Sequence, residues 1–408
     1  MATFAVPLSG NKGSASMFLG LRDGFAAAGV DAHFHVFSYY PKRDARIAAE
    51  LGNVTVHPGH PKDIVVLLGM MVVSAILPFA VPGKWKRAIA ALRGCDVVLM
   101  IGGTTFADSM LYKVPWNLLA ALPGYWLRRP SVFLSQTIGP LRNGLNRALA
   151  RWTLRRAVAV HGRGRQSESW ARGLGIEACA YRPDLSFNMR TPSFDEVADR
   201  HDVVGRLREK MRATDRACVG VAPNSIVYTK AAKVGKDYIG FMAGVVRTVF
   251  EQGHLPVLIP HSYREDVSKI HNNDRSICRA IIDRLSPEVD LFYVDADLGA
   301  AELRAIIGHL HLLVASRFHS MISALATGVP PITYGWGHHK YTEVLDEFGA
   351  TELYASFKDL DEADFAPKLQ AVHARRAELS QRIREAHRTV AEESGGLPHA
   401  IVDVLTTG

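Results

Sequence analysis

An arginine and a histidine two positions apart, Arg317 and His319, stand where the apolar run of residues 312–315 breaks into polar sequence. Arginine is a permanent cation with a forked set of donors, and histidine is the side chain that most readily carries a proton near neutral pH. Together they suit an anionic substrate that has to be both held and protonated. The apolar run predicts a strand, and alternation along its end brings both side chains to one side, at the carboxyl edge of an open α/β sheet. A competing reading makes Arg317 the partner of a structural carboxylate and His319 a helix-capping residue.

Other candidates follow apolar runs in the same way. Arg163 and Arg165 lie in His161-Gly162-Arg163-Gly164-Arg165, a glycine-spaced basic turn between a predicted strand and a helix expected to begin near Ser167. Such a turn offers guanidinium groups and free backbone donors to an anion. Gly102 and Gly103 close the run 97–101 and lead to Asp108, a carboxylate able to accept a proton from a hydroxyl. The turn fits neither the Walker pattern nor GxGxxG. Asn11, in the turn Gly10-Asn11-Lys12-Gly13, is a further ligand candidate, as are His338, His339 and Lys340 after Tyr334-Gly335-Trp336-Gly337. His309 and His311 form an HxH pair without further ligands at supporting spacing, so no metal is expected.

To position these residues, the chain alternates short apolar runs with helical patterns, which implies parallel β-α units. Strands are predicted over 4–8, 32–37, 97–101 and 131–134, with a helix over 15–28. After a polar, charged stretch over about 188–216, with a helical pattern over 203–212, the pattern restarts. Strands are predicted over 218–222, 255–260, 291–294 and 312–315, and helices over 238–251, 276–285 and 300–308. The expected fold class is α/β, with two Rossmann-like domains facing across a cleft. The first covers 1–190, a linker 191–215, and the second 216–362, followed by a helical tail over 363–408 that crosses back onto the first domain.

Length and composition agree: 408 residues allow two cores, and 48% hydrophobic with 22% charged residues describes a folded globular chain. Four well-separated cysteines predict reduced thiols, and no secretory pattern opens the sequence, so a cytoplasmic location is expected. The net charge of +8 favours anionic partners, phosphorylated metabolites and acidic lipids among them. Arg147, Arg151 and Arg155 make a basic helical stripe, but no nucleic-acid motif accompanies it, and nucleic acid is not an expected partner. Residues 64–83 carry no charge and are followed by Lys84-Trp85-Lys86-Arg87. Gly69, Pro78 and Pro82 interrupt this run, which reads better as a surface element dipping into one leaflet of a membrane than as a span. The alternative is a buried helix pair in the first domain. The segment Val114 to Trp126, with Arg128 and Arg129 after it, has the same aromatic-plus-basic character.

Taken in order, several of these pieces resemble the polysaccharide pyruvyl transferase family, whose two Rossmann-like halves are similar to those of GT-B glycosyltransferases. They are Gly10-Asn11-Lys12-Gly13, Gly102-Gly103-Thr104-Thr105-Phe106-Ala107-Asp108, Gln136-Thr137-Ile138-Gly139-Pro140, Arg163 with Ser167, Asp184, Ser316-Arg317-Phe318-His319-Ser320, Gly328-Val329-Pro330 and the loop 334–341. The resemblance implies transfer of the enolpyruvyl carbons of phosphoenolpyruvate onto a sugar as a pyruvate ketal, with release of phosphate and no cofactor. It implies His319 as the acid and Arg317 and Arg163 as donor ligands; Asp108 as the base is our addition. Where family members often have an Arg-Asp pair, this chain has Arg163-Gly164, and Arg165 is a substitute. The uncharged run at 64–83 suggests a glycolipid or lipid-linked acceptor at the inner face of the cytoplasmic membrane. A nucleotide-sugar glycosyltransferase of the same fold commonly has an acidic residue on the helix before Gly-x-Pro, where Ser323 and Ala324 stand here. A non-catalytic glycan-binding assembly protein would have no need of both Arg317 and His319.

Overall fold

The computed structural model describes residues 1–4, 6–110, 112–264, 266, 268, 270, 272–337 and 339–406. The chain divides into two units, one of Met1–Ser9, Met17–Met189 and Glu392–Gly408, the other of Gly10–Ser16 and Arg190–Ala391.

In the first unit the strands are β1 (Ala2–Phe4), β2 (Phe34–Ser38), β3 (Val54–Pro58), β4 (Val98–Ile101), β5 (Thr104–Phe106), β6 (Ser131–Ile138), β7 (Ala159–Gly162) and β8 (Cys179–Tyr181). They pair in parallel in the order β3-β2-β1-β4-β6-β7-β8, with β5 on β6. A parallel sheet is covered on both faces, which is why its strands read as unbroken apolar runs. Val97, Leu99 and Ile101 enter one core cluster with Phe18 and Phe34, while Val98 and Met100 enter the other with Phe37 and Phe133.

The second unit contains β9 (Cys218–Ala222), β10 (Leu255–Leu258), β11 (Phe292–Tyr293), β12 (Leu312–Ala315), β13 (Pro331–Gly335) and β14 (Tyr354–Ser356), all parallel. Their order, β11-β10-β9-β12-β13-β14, reverses direction between β9 and β12. In such a sheet the switch point is where ligands bind, beyond the carboxyl ends of the strands. Ser316 and Arg317 follow β12 at that point, and Asn224 and Ser225 follow β9.

Three expectations need correcting. Residues 191–215 are not a linker. Ser193 caps the Phe194–Arg200 helix through a capping box with Glu196, and the Asp202–Arg212 helix follows. Phe194, Val197, Val204 and Leu207 are buried, and His201 bonds Glu302 on the Ala300–Gly308 helix at 2.7 Å. The outward charges of both helices had masked that apolar side. β6 runs to Ile138 rather than 134, because buried Gln136 and Thr137 find polar partners inside the sheet. β1 is shorter than expected: the chain leaves the sheet, and the Leu8 and Ser9 amides donate to the Asp44 carboxylate at 2.8 and 2.9 Å. In the tail, the Leu397–Thr406 helix places Leu397 and Ile401 in the core of the first unit.

Candidate functional site

The helix Phe318–Thr327 follows β12 with Arg317 as its N-cap, and Gly328 ends it in the left-handed conformation at φ 76°. Arg317 and His319 are thus a helix cap and the second residue of the first turn, not alternating strand residues. Arg317 is 7% exposed. Its Nε and Nη2 donate to the two carboxylate oxygens of Asp274 at 2.7 and 2.6 Å, and Nη2 also donates to Ser225 Oγ at 3.1 Å. Asp274, fully buried, also accepts from the Ser225 amide at 2.9 Å. The structural-carboxylate reading of Arg317 therefore holds as far as its Nε edge. Neither Asp274 nor Ser225 uses Nη1, so the pair fixes the guanidinium through its Nε–Nη2 edge. A buried arginine needs such a partner, because an uncompensated charge there is strongly destabilising.

Around this pair the second unit gathers further cationic or protonatable groups. His319, half-buried, packs edge-on against Phe318, with its ring against Gly13. A Cβ on Gly13 would lie 2.2 Å from His319 Nδ1, so the ring keeps its place only with glycine there. The segment 10–16 is held in this unit by a bridge between Asn11 and Ser262, and by a bond from Ser262 Oγ to the Gly10 carbonyl. Buried Lys12 bonds Asp297 at 2.6 Å. Asn11 itself accepts from the Gly13 amide at 3.1 Å, so its side chain caps its own turn.

His261, after β10, is 2% exposed, and its Nε2 has no hydrogen-bond partner among the described residues. Burial first, and then the charges of His319, Arg317 and Lys12, hold its imidazole well below the usual range. It is a neutral ring at neutral pH, looking onto the same cations. Sequence reasoning passed over His261, although it follows an apolar run just as Arg317 does. Asp274, Ser225 and Asp297 carried no such signal.

Beside this group, Lys340 Nζ lies over the rings of Phe318, Trp336 and Tyr341 at 4.7, 4.8 and 5.2 Å. His339 faces Glu343 one turn along its helix at 3.5 Å. His338 lies outside the described residues. His309 stacks on Phe194, and His311 bonds His373 at 3.1 Å.

The first unit repeats the arginine arrangement. Arg163, directly after β7 and 3% exposed, donates from Nε to Thr137 Oγ1 at 2.6 Å and from Nη1 to Asp184 at 2.9 Å. Its Nη2 would stand 3.7 Å from a Cβ on Gly103. Gly102 leaves room for Gln136, whose amide would lie 2.4 Å from a Cβ there. Gln136 Nε2 donates to the Met100 and Leu134 carbonyls, and its Oε1 accepts from Thr105 Oγ1. Burial, and secondarily the Arg163 charge, lowers the pKa of Lys113. Gly102, Gly103 and Arg163 are thus brought together.

Asp108 and Arg165 have other surroundings. Asp108 Oδ2 accepts from the Arg142 and Asn143 amides, tying down the turn before the Gly144–Leu154 helix. Arg165 is exposed on the first turn of its helix, 5.0 Å over the Tyr181 ring.

Comparison with known proteins bears on the fold and the family. The amylovoran biosynthesis protein AmsJ of Erwinia amylovora is 21% identical over 309 residues, covering 75% of this chain and 72% of that protein. Among solved structures, UDP-GlcNAc 2-epimerase from Neisseria meningitidis superposes with a TM-score of 0.61 at 9% identity, with both chains fully covered. An α,α-trehalose-phosphate synthase from Burkholderia vietnamiensis gives 0.58 at 13% identity, over 100% of this chain and 99% of that one. At these identities the structures establish a GT-B-like fold and nothing of the chemistry. The family model for polysaccharide pyruvyl transferase matches residues 11–339, a span that takes in Arg163, Arg317 and His319, and the chain belongs to that family.

Proposed function

We propose that this protein transfers pyruvate from phosphoenolpyruvate to two hydroxyls of a sugar in a polysaccharide precursor, glycolipid or lipid-linked glycan. The observation that carries this reading is the Asp274-braced Arg317, with His319 two residues on in the first turn of the helix that follows it, at the β9/β12 switch point. Family membership and the similarity to an amylovoran biosynthesis protein support it.

In this reading Arg317 binds an anionic group of the donor through Nη1, and Arg163 is the second anion-binding arginine. His319, as imidazolium, gives its proton to the methylene carbon of phosphoenolpyruvate. That carbon becomes a methyl group, and positive charge develops at the neighbouring carbon, stabilised by its oxygen. A sugar hydroxyl adds there and loses its proton. The carbon–oxygen bond to phosphate then breaks, and phosphate leaves with the electron pair. A second hydroxyl adds to the same carbon and closes the ketal. Of the two hydroxyl protons, one restores His319 and the other leaves with phosphate. No cofactor is required. The acceptor is placed at the inner face of the cytoplasmic membrane, with the protein peripheral to it.

Calorimetry with phosphoenolpyruvate, beside UDP- and GDP-sugars, tests the donor. Binding that is lost in Arg317→Ala, with His319→Ala still binding but not turning over, is the expected result. Tight nucleotide-sugar binding without a phosphoenolpyruvate signal would replace this reading with a glycosyltransferase. Full turnover by His319→Ala would remove it as the acid.

A further inference from the structure

The helix Pro61–Ile76 has two apolar sides. Ile64, Leu67 and Met71 face inward and are buried. Val65, Gly69, Val72 and Ile76 recur at helical spacing on the opposite side, and all four are exposed. An outward helix face in water is normally polar or charged. Here it continues into Leu77 and Phe79, beyond the helix end; Ile76 is 71% and Phe79 78% exposed. Among the described residues no helix is long and apolar enough to cross a membrane.

Two neighbouring helices share this character. Pro61–Ile76 packs on Lys113–Trp126, which packs in turn on Gly144–Leu154. Trp116 and Trp126 on the middle helix, and Leu145 and Trp152 on the third, are exposed. The third helix also carries a shallow groove lined by Arg147, Arg151, Trp152, Arg155 and Arg156, with the Arg156 guanidinium 3.7 Å over the Trp152 ring.

Charge distribution separates this region from the rest of the chain. Residues 64–95 and 109–167 contain fourteen Lys and Arg and not one Asp or Glu. Since the whole chain is only +8, the remainder is net negative. Apolar and aromatic side chains turned outward, with basic residues in the same segments and acidic ones only at their margins, Asp63 in the first turn of the first helix and Asp108 at the turn before the third, complement an anionic lipid surface. The apolar groups enter the acyl boundary, tryptophans sit at headgroup level, and the basic side chains meet phosphates. A protein partner with an apolar interface would account for the exposed stripe, but not for the one-sided charge of the two segments that carry it.

We infer that the outer face of these three helices docks on a bilayer containing anionic phospholipid, with Ile76, Leu77 and Phe79 as the inserted tip and the arginines of the third helix on headgroup phosphates. This gives the peripheral location proposed above a specific surface and lipid class. It does not depend on the donor chemistry, so vesicle binding and phosphoenolpyruvate binding can fail separately.

The test is flotation of the full chain with vesicles of phosphatidylcholine alone or mixed with phosphatidylglycerol, at low and high salt. Wild type should float with the mixed vesicles only, and less at high salt. Ile76→Ser/Phe79→Ser and Arg151→Glu/Arg155→Glu should each weaken partitioning by about tenfold or more, with thermal unfolding and phosphoenolpyruvate binding unchanged. Quenching of tryptophan emission by lipids brominated in the acyl chain should accompany wild-type binding alone. Absence of flotation overturns the inference, as does equal flotation of wild type and both variants. A concentration-dependent dimer in sedimentation, abolished by the tip variant while vesicles are ignored, would assign the face to a second copy of the chain.

Discussion

Replacing Asp274 by Asn should uncouple the two tasks of Arg317, being stably buried and being correctly aimed. The carboxylate accepts two guanidinium bonds at 2.7 and 2.6 Å and the Ser225 amide at 2.9 Å, with no exposure to solvent. Asparagine keeps the shape, but turns an NH2 group toward donors and leaves the arginine charge without its counterion. Breaking a buried pair from one side costs about 3–5 kcal/mol. The protein has two units, so a single global unfolding free energy is a poor measure. Hydrogen exchange of the β9 and β12 amides reports the relevant opening directly. Phosphoenolpyruvate affinity should fall at least about tenfold in the same variant, the equivalent of one charge-assisted hydrogen bond, although the arginine is still present. The double variant Asp274→Asn/Arg317→Met removes the charge that was stranded. It should regain about 2 kcal/mol or more of that loss in exchange protection and regain no binding. Additivity of the two single substitutions within about 0.5 kcal/mol would refute the reasoning, since it would mean the side chains are energetically independent.

Gly13→Ala tests whether the His319 ring has to lie where it does. Its Cβ would come within 2.2 Å of Nδ1 and 2.7 Å of Cγ, so the ring must swing away. Turnover should drop by about a hundredfold or more with little change in unfolding temperature, as expected when a catalytic group is misplaced by about an ångström; steady-state kinetics on a folded variant retaining wild-type turnover would count against the role of His319. Acid sensitivity is a separate matter. His57 is 6% exposed, and burial, then His35, Arg87 and His33, lower its pKa to about 4. The unfolded ring takes a proton below about 6.5 that the folded ring refuses until about 4, so stability is unaffected above that window and is lost as pH falls through it. Between pH 7.5 and pH 5 the loss from this residue should be about 2 kcal/mol. Hydrogen exchange of the β2 and β3 amides, corrected for the intrinsic rate at both pH values, should show His57→Gln losing less protection than wild type by that amount, and an identical pH dependence would dismiss the assignment.

Local pattern carried much of the architecture. β9, β12 and the helices Tyr238–Glu251 and Ala300–Gly308 end where their apolar periodicity ends. Such boundaries are set by neighbours in sequence: Asp237 caps the first helix by accepting from the Gly240 amide, and Glu302 reaches back to the Gly299 amide of the second. The positions of Arg317 and Arg163 were likewise visible, because a polar residue just after a buried strand has to emerge at the sheet edge.

What the neighbours in sequence could not decide was which distant residue each would meet. Asp274 is 43 positions from Arg317, Asp184 is 21 from Arg163, and Lys12 is 285 from Asp297. Those pairings follow from strand order, and strand order follows from how the sheets bury their two faces. The same limit applies to the apolar run at 64–83. Composition shows that it avoids water, but a helix pattern that is apolar on both sides does not say which side is covered. Only packing against the sheet and the next helix settles that Ile64, Leu67 and Met71 are inside, leaving Val65, Val72 and Ile76 facing out.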